Sequence, residues 1–170
     1  MTVLRRIARL RVTAGFVCGI CAIWLAHPTV ASLLAGGTLA LAGEAIRLWA
    51  AGHLEKGREV TTSGPYRFTR HPLYLGSTLI GVGLGYASAN WWVAVMVVAY
   101  LLVTLTAAVR TEEAHLTDKF GAAYPAYRAG IAPDGRGRFS IARVVRNREY
   151  RALLGLAFVL ALFAWKARLP

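Results

Sequence analysis

The sequence predicts an all-α protein, a polytopic integral membrane bundle of about five transmembrane helices. Three observations predict it. Hydrophobic residues make up 56% of the 170-residue chain and charged residues 16%. Soluble domains carry about 25% charged residues, so there is too little charge here to cover a globule. The mean hydropathy is positive, at +0.48. The charge is also lopsided, with 20 Lys and Arg against 8 Asp and Glu, a net +12. In a soluble protein that balance points to nucleic acid. Beside this hydropathy it points to basic loops flanking a bilayer, and no nucleic-acid partner is expected. Disorder is excluded, because disordered chains are poor in apolar residues.

About 20 largely apolar helical residues cross a bilayer, fewer where the bilayer thins or flanking residues snorkel. The first predicted span, 12–27, holds no Asp, Glu, Lys or Arg and is ended by Pro28. The second, 29–51, is uncharged until Glu44 and Arg47, which lie three apart on one helical face and can pair. Residues 73–109 contain no charge. As one helix they would run roughly 55 Å, almost twice the hydrocarbon thickness. The break is placed at Ser88-Ala89-Asn90, polar turn residues ahead of the interfacial pair Trp91-Trp92, giving spans 73–88 and 91–109. Pro72 suits the first helical position of the third span. The fifth span, 152–166, is short and flanked by Arg151 and Lys166, which can snorkel.

The basic residues set the orientation. Eighteen of the twenty Lys and Arg fall before the first span, in the 47–72 region or in 110–151. The connections around His27-Pro28 and Ser88-Asn90 carry none. The N-terminus and both long loops are therefore expected in the cytoplasm, in a bacterial inner membrane. A cleaved signal peptide is the competing account of the N-terminus, but more membrane-like sequence follows it. Cys18 and Cys21 have redox-motif spacing, yet they lie in an apolar run with no βαβ pattern and read as small residues on a buried helix face. Gly81-Val82-Gly83-Leu84-Gly85 lies inside a span after no strand, and reads as close helix packing rather than a nucleotide loop.

Nearly all polar chemistry then collects in two cytoplasmic loops, 52–72 and 110–151. The first contains His53, Arg58, Glu59, Val60, Thr61, Gly64-Pro65-Tyr66 and Arg70-His71-Pro72-Leu73-Tyr74-Leu75-Gly76. The second opens on Arg110-Thr111-Glu112-Glu113 as the fourth span leaves the bilayer. Adjacent carboxylates at that boundary are costly without a cationic partner. They form either a solvated helix end beside Arg110 or a recess for a positively charged ligand group. Phe120-Gly121 and Tyr124-Pro125-Ala126-Tyr127-Arg128 can fold the segment back onto the helix ends.

The run Arg70 to Gly76, followed by Glu112-Glu113, resembles the signature of the isoprenylcysteine carboxyl methyltransferase and phospholipid methyltransferase superfamily. Gly64-Pro65-Tyr66 before it and Phe120-Gly121, Tyr124 and Tyr127-Arg128 after it support the likeness, which covers about 53–130. The resemblance implies a single membrane methyltransferase domain over 1–170, with a cytoplasmic pocket for S-adenosyl-L-methionine. By position, Arg58, Glu59, Val60, Thr61 and Tyr66 match the stretch lining that pocket. Arg70, His71, Pro72, Leu73, Tyr74 and Gly76 match the central motif, and Glu112 and Glu113 the acidic end. Carboxylates suit the sulfonium and ammonium of such a cofactor, and Arg70 or His71 its carboxylate. Tyr66 or Tyr74 can pack against the adenine or the sulfonium. The pair Arg58-Glu59 departs from the less charged pair of the family.

The expected acceptor is a membrane lipid or a lipidated small molecule. A prenylated-cysteine carboxylate needs only an orienting cation, for which Arg110 is the candidate. An amine, as in phosphatidylethanolamine, must first lose a proton, and His53 or His71 can take it. Such an acceptor would enter between spans, where Gly76, Gly81, Gly83 and Gly85 leave space. Three other readings stand beside these: a sterol-reductase-like enzyme using NADPH, a haem or metal protein using His27, His53, His71 and His115, and a non-enzymatic lipid-binding protein. No metal site is expected. Residues 136–151 are expected to meet anionic lipid headgroups whichever reading holds.

Overall fold

A computed structural model describes residues 2–131, 135 and 137–169. The side chains of Arg5, Arg6, Arg9 and Arg11, and the whole of Arg136, lie outside what it describes. Among the described residues all regular secondary structure is helical: α1 Thr2–Leu25, α2 Val30–His53, α3 Pro72–Ala87, α4 Trp91–Phe120, α5 Ala123–Arg128, α6 Ile141–Arg146 and α7 Tyr150–Lys166, with a 3₁₀ turn at Gly64–Arg67. By length and composition, α2 and α4 are able to cross a membrane, while the apolar part of α1, Thr13–Leu25, is shorter. At 16 and 17 residues, α3 and α7 rise roughly 24–26 Å, less than the hydrocarbon thickness. Large apolar side chains such as Phe16, Trp24, Leu102 and Phe158 stand exposed, as a lipid-facing surface requires.

Local chemistry fixes most boundaries. Thr29 caps α2: its Oγ1 accepts from Ser32 N at 3.1 Å, and Ser32 Oγ accepts from Thr29 N at 2.9 Å. Pro72 starts α3, where its missing N–H costs nothing. Asn90 caps α4 through Oδ1, which accepts from Trp92 N and Val93 N. The break in 73–109 thus falls at Ser88-Ala89-Asn90, as the sequence predicts. That turn is also bolted to the α1–α2 connection. His27 N donates to Ser88 O at 2.8 Å, Asn90 Nδ2 to Leu25 O at 2.8 Å, and Ser32 Oγ to Ala87 O at 3.1 Å. Ala26, Ala87 and Phe163 form a small core beside these contacts.

The tightest packing joins α2 to α3. A Cβ on Gly43 would sit 2.6 Å from Gly76 O, and one on Gly83 would sit 2.6 Å from Gly36 O. Small residues let backbones approach in this way. The glycines predicted to leave space for an acceptor are therefore filled: Gly76 and Gly83 by α2, Gly81 by Leu101 and Val97, Gly85 by Ala94.

One further boundary is corrected, and two cations find partners besides those the sequence suggests. α1 stops at Leu25, before Pro28, so the proline follows the helix rather than breaking it. Lys166 Nζ donates to Ile23 O and Trp24 O and caps the end of α1. Arg47 does lie 3.7 Å from Glu44, but its nearer partner is Glu149 on the approach to α7, at 2.5–2.6 Å. Its other donors reach Leu73 O and Ser77 Oγ on α3. One guanidinium thus joins α2, α3 and α7.

Candidate active site

The helix that begins at Trp91 does not end with its apolar run. It continues to Phe120, because Thr111, Glu112, His115 and Lys119 break no helix rule and Gly121, at φ 52°, is the first residue that does. The sequence-based end at 109 marks the edge of the apolar surface, not of the helix. Thr104, Ala108, Thr111, Glu112, His115 and Lys119 recur at three- and four-residue spacing on one face. That face closes one side of a cavity of about 610 Å³, within the size of small-molecule sites, roughly 300–1,000 Å³.

The other walls come from the 54–61 loop, the 3₁₀ turn, the start of α3 and α5. The loop is closed by Glu55 N donating to Thr61 Oγ1 at 3.2 Å, and Gly57 takes the positive φ of 74° that its turn demands. Tyr127 Oη donates to Tyr66 O at 2.7 Å, tying α5 to the 3₁₀ turn. Burial, and then the charge of Glu112, pushes the Tyr66 phenol up from its ordinary value. Burial, and then Glu113, pushes Tyr124 up to about 12.

His71, the residue before Pro72, stacks its ring on Tyr74 with centroids 5.7 Å apart and planes at 29°. Its Nε2 donates to Glu113 Oε1 at 3.1 Å, and Arg70 Nη1 lies 3.8 Å from the same oxygen. The His71 hydrogen bond, helped by the charge of Arg128, holds Glu113 below the ordinary carboxylate range. Glu113 therefore orients His71 and Arg70 from behind. Its neighbour Glu112 lines the cavity and has no ion pair among the described residues. The adjacent acids have separate places, one turned to the cavity and one to its wall.

The phospholipid methyltransferase family model matches residues 10–123, more than half of the chain. The chain belongs to the phospholipid methyltransferase family. That membership and its two long apolar helices mark it as a membrane protein. It is 30% identical over 99 residues to a nickel-cobalt-cadmium resistance protein, NccN, of Alcaligenes xylosoxydans xylosoxydans, covering 57% of this chain and 45% of the relative. It is 35% identical over 100 residues to a cobalt-zinc-cadmium resistance protein, CzcN, of Cupriavidus metallidurans, covering 57% and 44%. The match spans less than half the length of these curated relatives. No solved structure matches the chain.

In this member of the phospholipid methyltransferase family, Glu59, Val60, Thr61, Tyr66, Arg70, His71, Pro72, Leu73, Tyr74 and Glu112 are brought together around one cavity. Five candidates lie elsewhere. Arg58 points outward near Glu55, and Glu113 sits behind His71. Gly76 is pressed against Gly43 and Arg47, and Arg110 is exposed outside the cavity lining. His53 is buried with Nδ1 3.0 Å from Trp49 O, and packs against Gly64 and Phe139. His115 and Lys119 line the cavity and were not singled out for it by the sequence reading. Their spacing from Glu112 would have shown them had the helix been carried past the last apolar residue.

Proposed function

We propose that the chain is an S-adenosyl-L-methionine-dependent membrane methyltransferase acting on a lipid-like acceptor. In this reading its five apolar segments form a single bundle domain in a bacterial inner membrane, with the N-terminus and the cavity facing the cytoplasm. One observation carries it. A single cavity joins a charged end, at Glu59, Arg70, His71 and Glu112, to an apolar wall of Leu73, Thr104, Ala107 and Ala108 at the level of the uncharged run. A water-soluble charged molecule and an aliphatic one can meet in such a space.

The residues present fit the cofactor. Arg70 supplies donors for its carboxylate, Glu112 and Glu59 supply charge for its cationic groups, and Tyr66 and Tyr74 supply aromatic surface. When bound, it supplies a methyl group already activated by a sulfonium. The protein then has to align an acceptor in line with that carbon and exclude water. Tyr66 and Tyr124, 8% and 2% exposed, serve the second task.

Two acceptor chemistries divide this reading. A prenylated-cysteine carboxylate would be oriented by a cation, but Arg110 lies outside the cavity lining. A phospholipid amine needs a base, and His115 faces the cavity. That placement favours the amine. Among the described residues no three His, Cys, Asp or Glu gather to hold an ion. The test is titration of S-adenosylhomocysteine into the purified protein and its Glu112→Gln variant. Binding that weakens about tenfold or more in the variant is expected, and equal affinity overturns the assignment. Membranes given methyl-labelled cofactor should then yield labelled lipid, with label in an amine headgroup for the favoured acceptor.

A further inference from the structure

The 54–61 loop that walls the cavity is held from outside it. Glu55 lines the cavity, yet its Oε1 accepts from Arg143 Nε at 2.5 Å and its Oε2 from Arg146 Nη2 at 2.9 Å. Arg143 also donates to Gly52 O at 3.1 Å and to Arg138 O at 2.5 Å. Ser140 N donates to Gly52 O at 3.0 Å, and Asn147 Nδ2 to Ala51 O and Leu54 O. Residues 138–147 therefore form a strap buckled around the last turn of α2 and the first residues of the loop.

The outward side of the strap has a different character. Ile141 and Val145 are 72% and 56% exposed and four apart on α6. Arg138, Arg148 and Arg151 are exposed and have no carboxylate partner among the described residues. Glu149 is the single acid in 138–151, and Arg47 engages it. The strap runs directly into the apolar helix α7. Aliphatic side chains interleaved with guanidinium groups at the foot of an apolar helix are complementary to phosphate headgroups with acyl chains beneath them.

We propose that the outward face of 138–151 docks on an anionic lipid surface, and that docking keeps the Glu55 buckle shut and so fixes the cavity wall. The proposal rests on the reading of that cavity as a membrane methyltransferase site. Seated on headgroups, the strap keeps Arg143 and Arg146 beside Glu55. Unseated, Arg146, whose side chain is already 53% exposed, is free to leave first and the loop loosens.

The test uses the full chain in nanodiscs of phosphatidylcholine alone or mixed with phosphatidylglycerol. Amide exchange over 52–61 and S-adenosylhomocysteine affinity are read separately. Exchange should slow on the order of fivefold or more in the anionic discs. The slowing should vanish in Arg148→Gln/Arg151→Gln, which matches the wild type in neutral discs. Equal wild-type exchange in both discs overturns the proposal. So does the same slowing when inorganic phosphate is added to neutral discs, because a free anion would then suffice. Lipid-dependent exchange with no S-adenosylhomocysteine binding supports the strap and removes the methyltransferase reading. Binding with lipid-independent exchange does the reverse.

Discussion

The two ends of the bundle are built from opposite materials. At the Ser88 end, backbone meets backbone: Gly36 and Gly83 bring α2 and α3 into contact, and the turn bonds through main-chain carbonyls and short side chains. At the cavity end, long charged side chains span the gaps, with Arg47, Glu55, Arg143 and Glu113 each joining separate elements. Backbone packing leaves no volume. Charged side chains hold elements apart while fixing their positions, and the cavity lies where they do so. Substitutions at the first end should therefore cost stability, and those at the second should cost binding.

The largest effect is expected for Gly36→Val, whose branched side chain has to enter space already taken by the Gly83 carbonyl. A loss of about 3 kcal/mol is expected, read as a lowered unfolding midpoint in detergent, and wild-type stability would break the comparison. Asn90→Ala removes both the cap of α4 and the bond to Leu25 O. It should cost about 1–2 kcal/mol by the same measurement, with S-adenosylhomocysteine affinity unchanged in the folded fraction. His71→Ala should invert that pattern, with a midpoint within about 1 kcal/mol of wild type and binding weakened about tenfold.

The smallest effect concerns pH. Because Glu113 is held below its ordinary value of 4.5, its contribution is fully present above that value and is lost as pH falls through its folded-state value. The wild type should lose stability relative to Glu113→Gln only in that acid range, by less than about 1 kcal/mol. A difference that instead opened between pH 5 and 7 would assign the titration to another group.

Much of this was legible in the sequence because local chemistry encodes it. Pro72, Thr29 and Ser88-Ala89-Asn90 fix boundaries within a few residues of themselves. The motif from Arg70 to Tyr74 and the acid Glu112 line one cavity. The end of α4 was not legible from hydropathy, since that property reports what a helix faces and not whether it continues. Nor was the Arg47–Glu149 pair, whose partners lie 102 residues apart while Glu44 offered a local alternative. His53 was misleading for a related reason: a histidine beside a polar loop can be packed against a glycine and a phenylalanine instead of facing solvent.

The unbroken length of α4 has a mechanical consequence. Glu112 stands twenty-one residues along the same rod as Trp91, a lever arm of about 32 Å. Pivoting that rod by about 5° at its tryptophan foot swings the carboxylate sideways by roughly 3 Å, about the length of a hydrogen bond. Whatever sets the inclination of this one helix also sets whether its acid reaches the opposite wall.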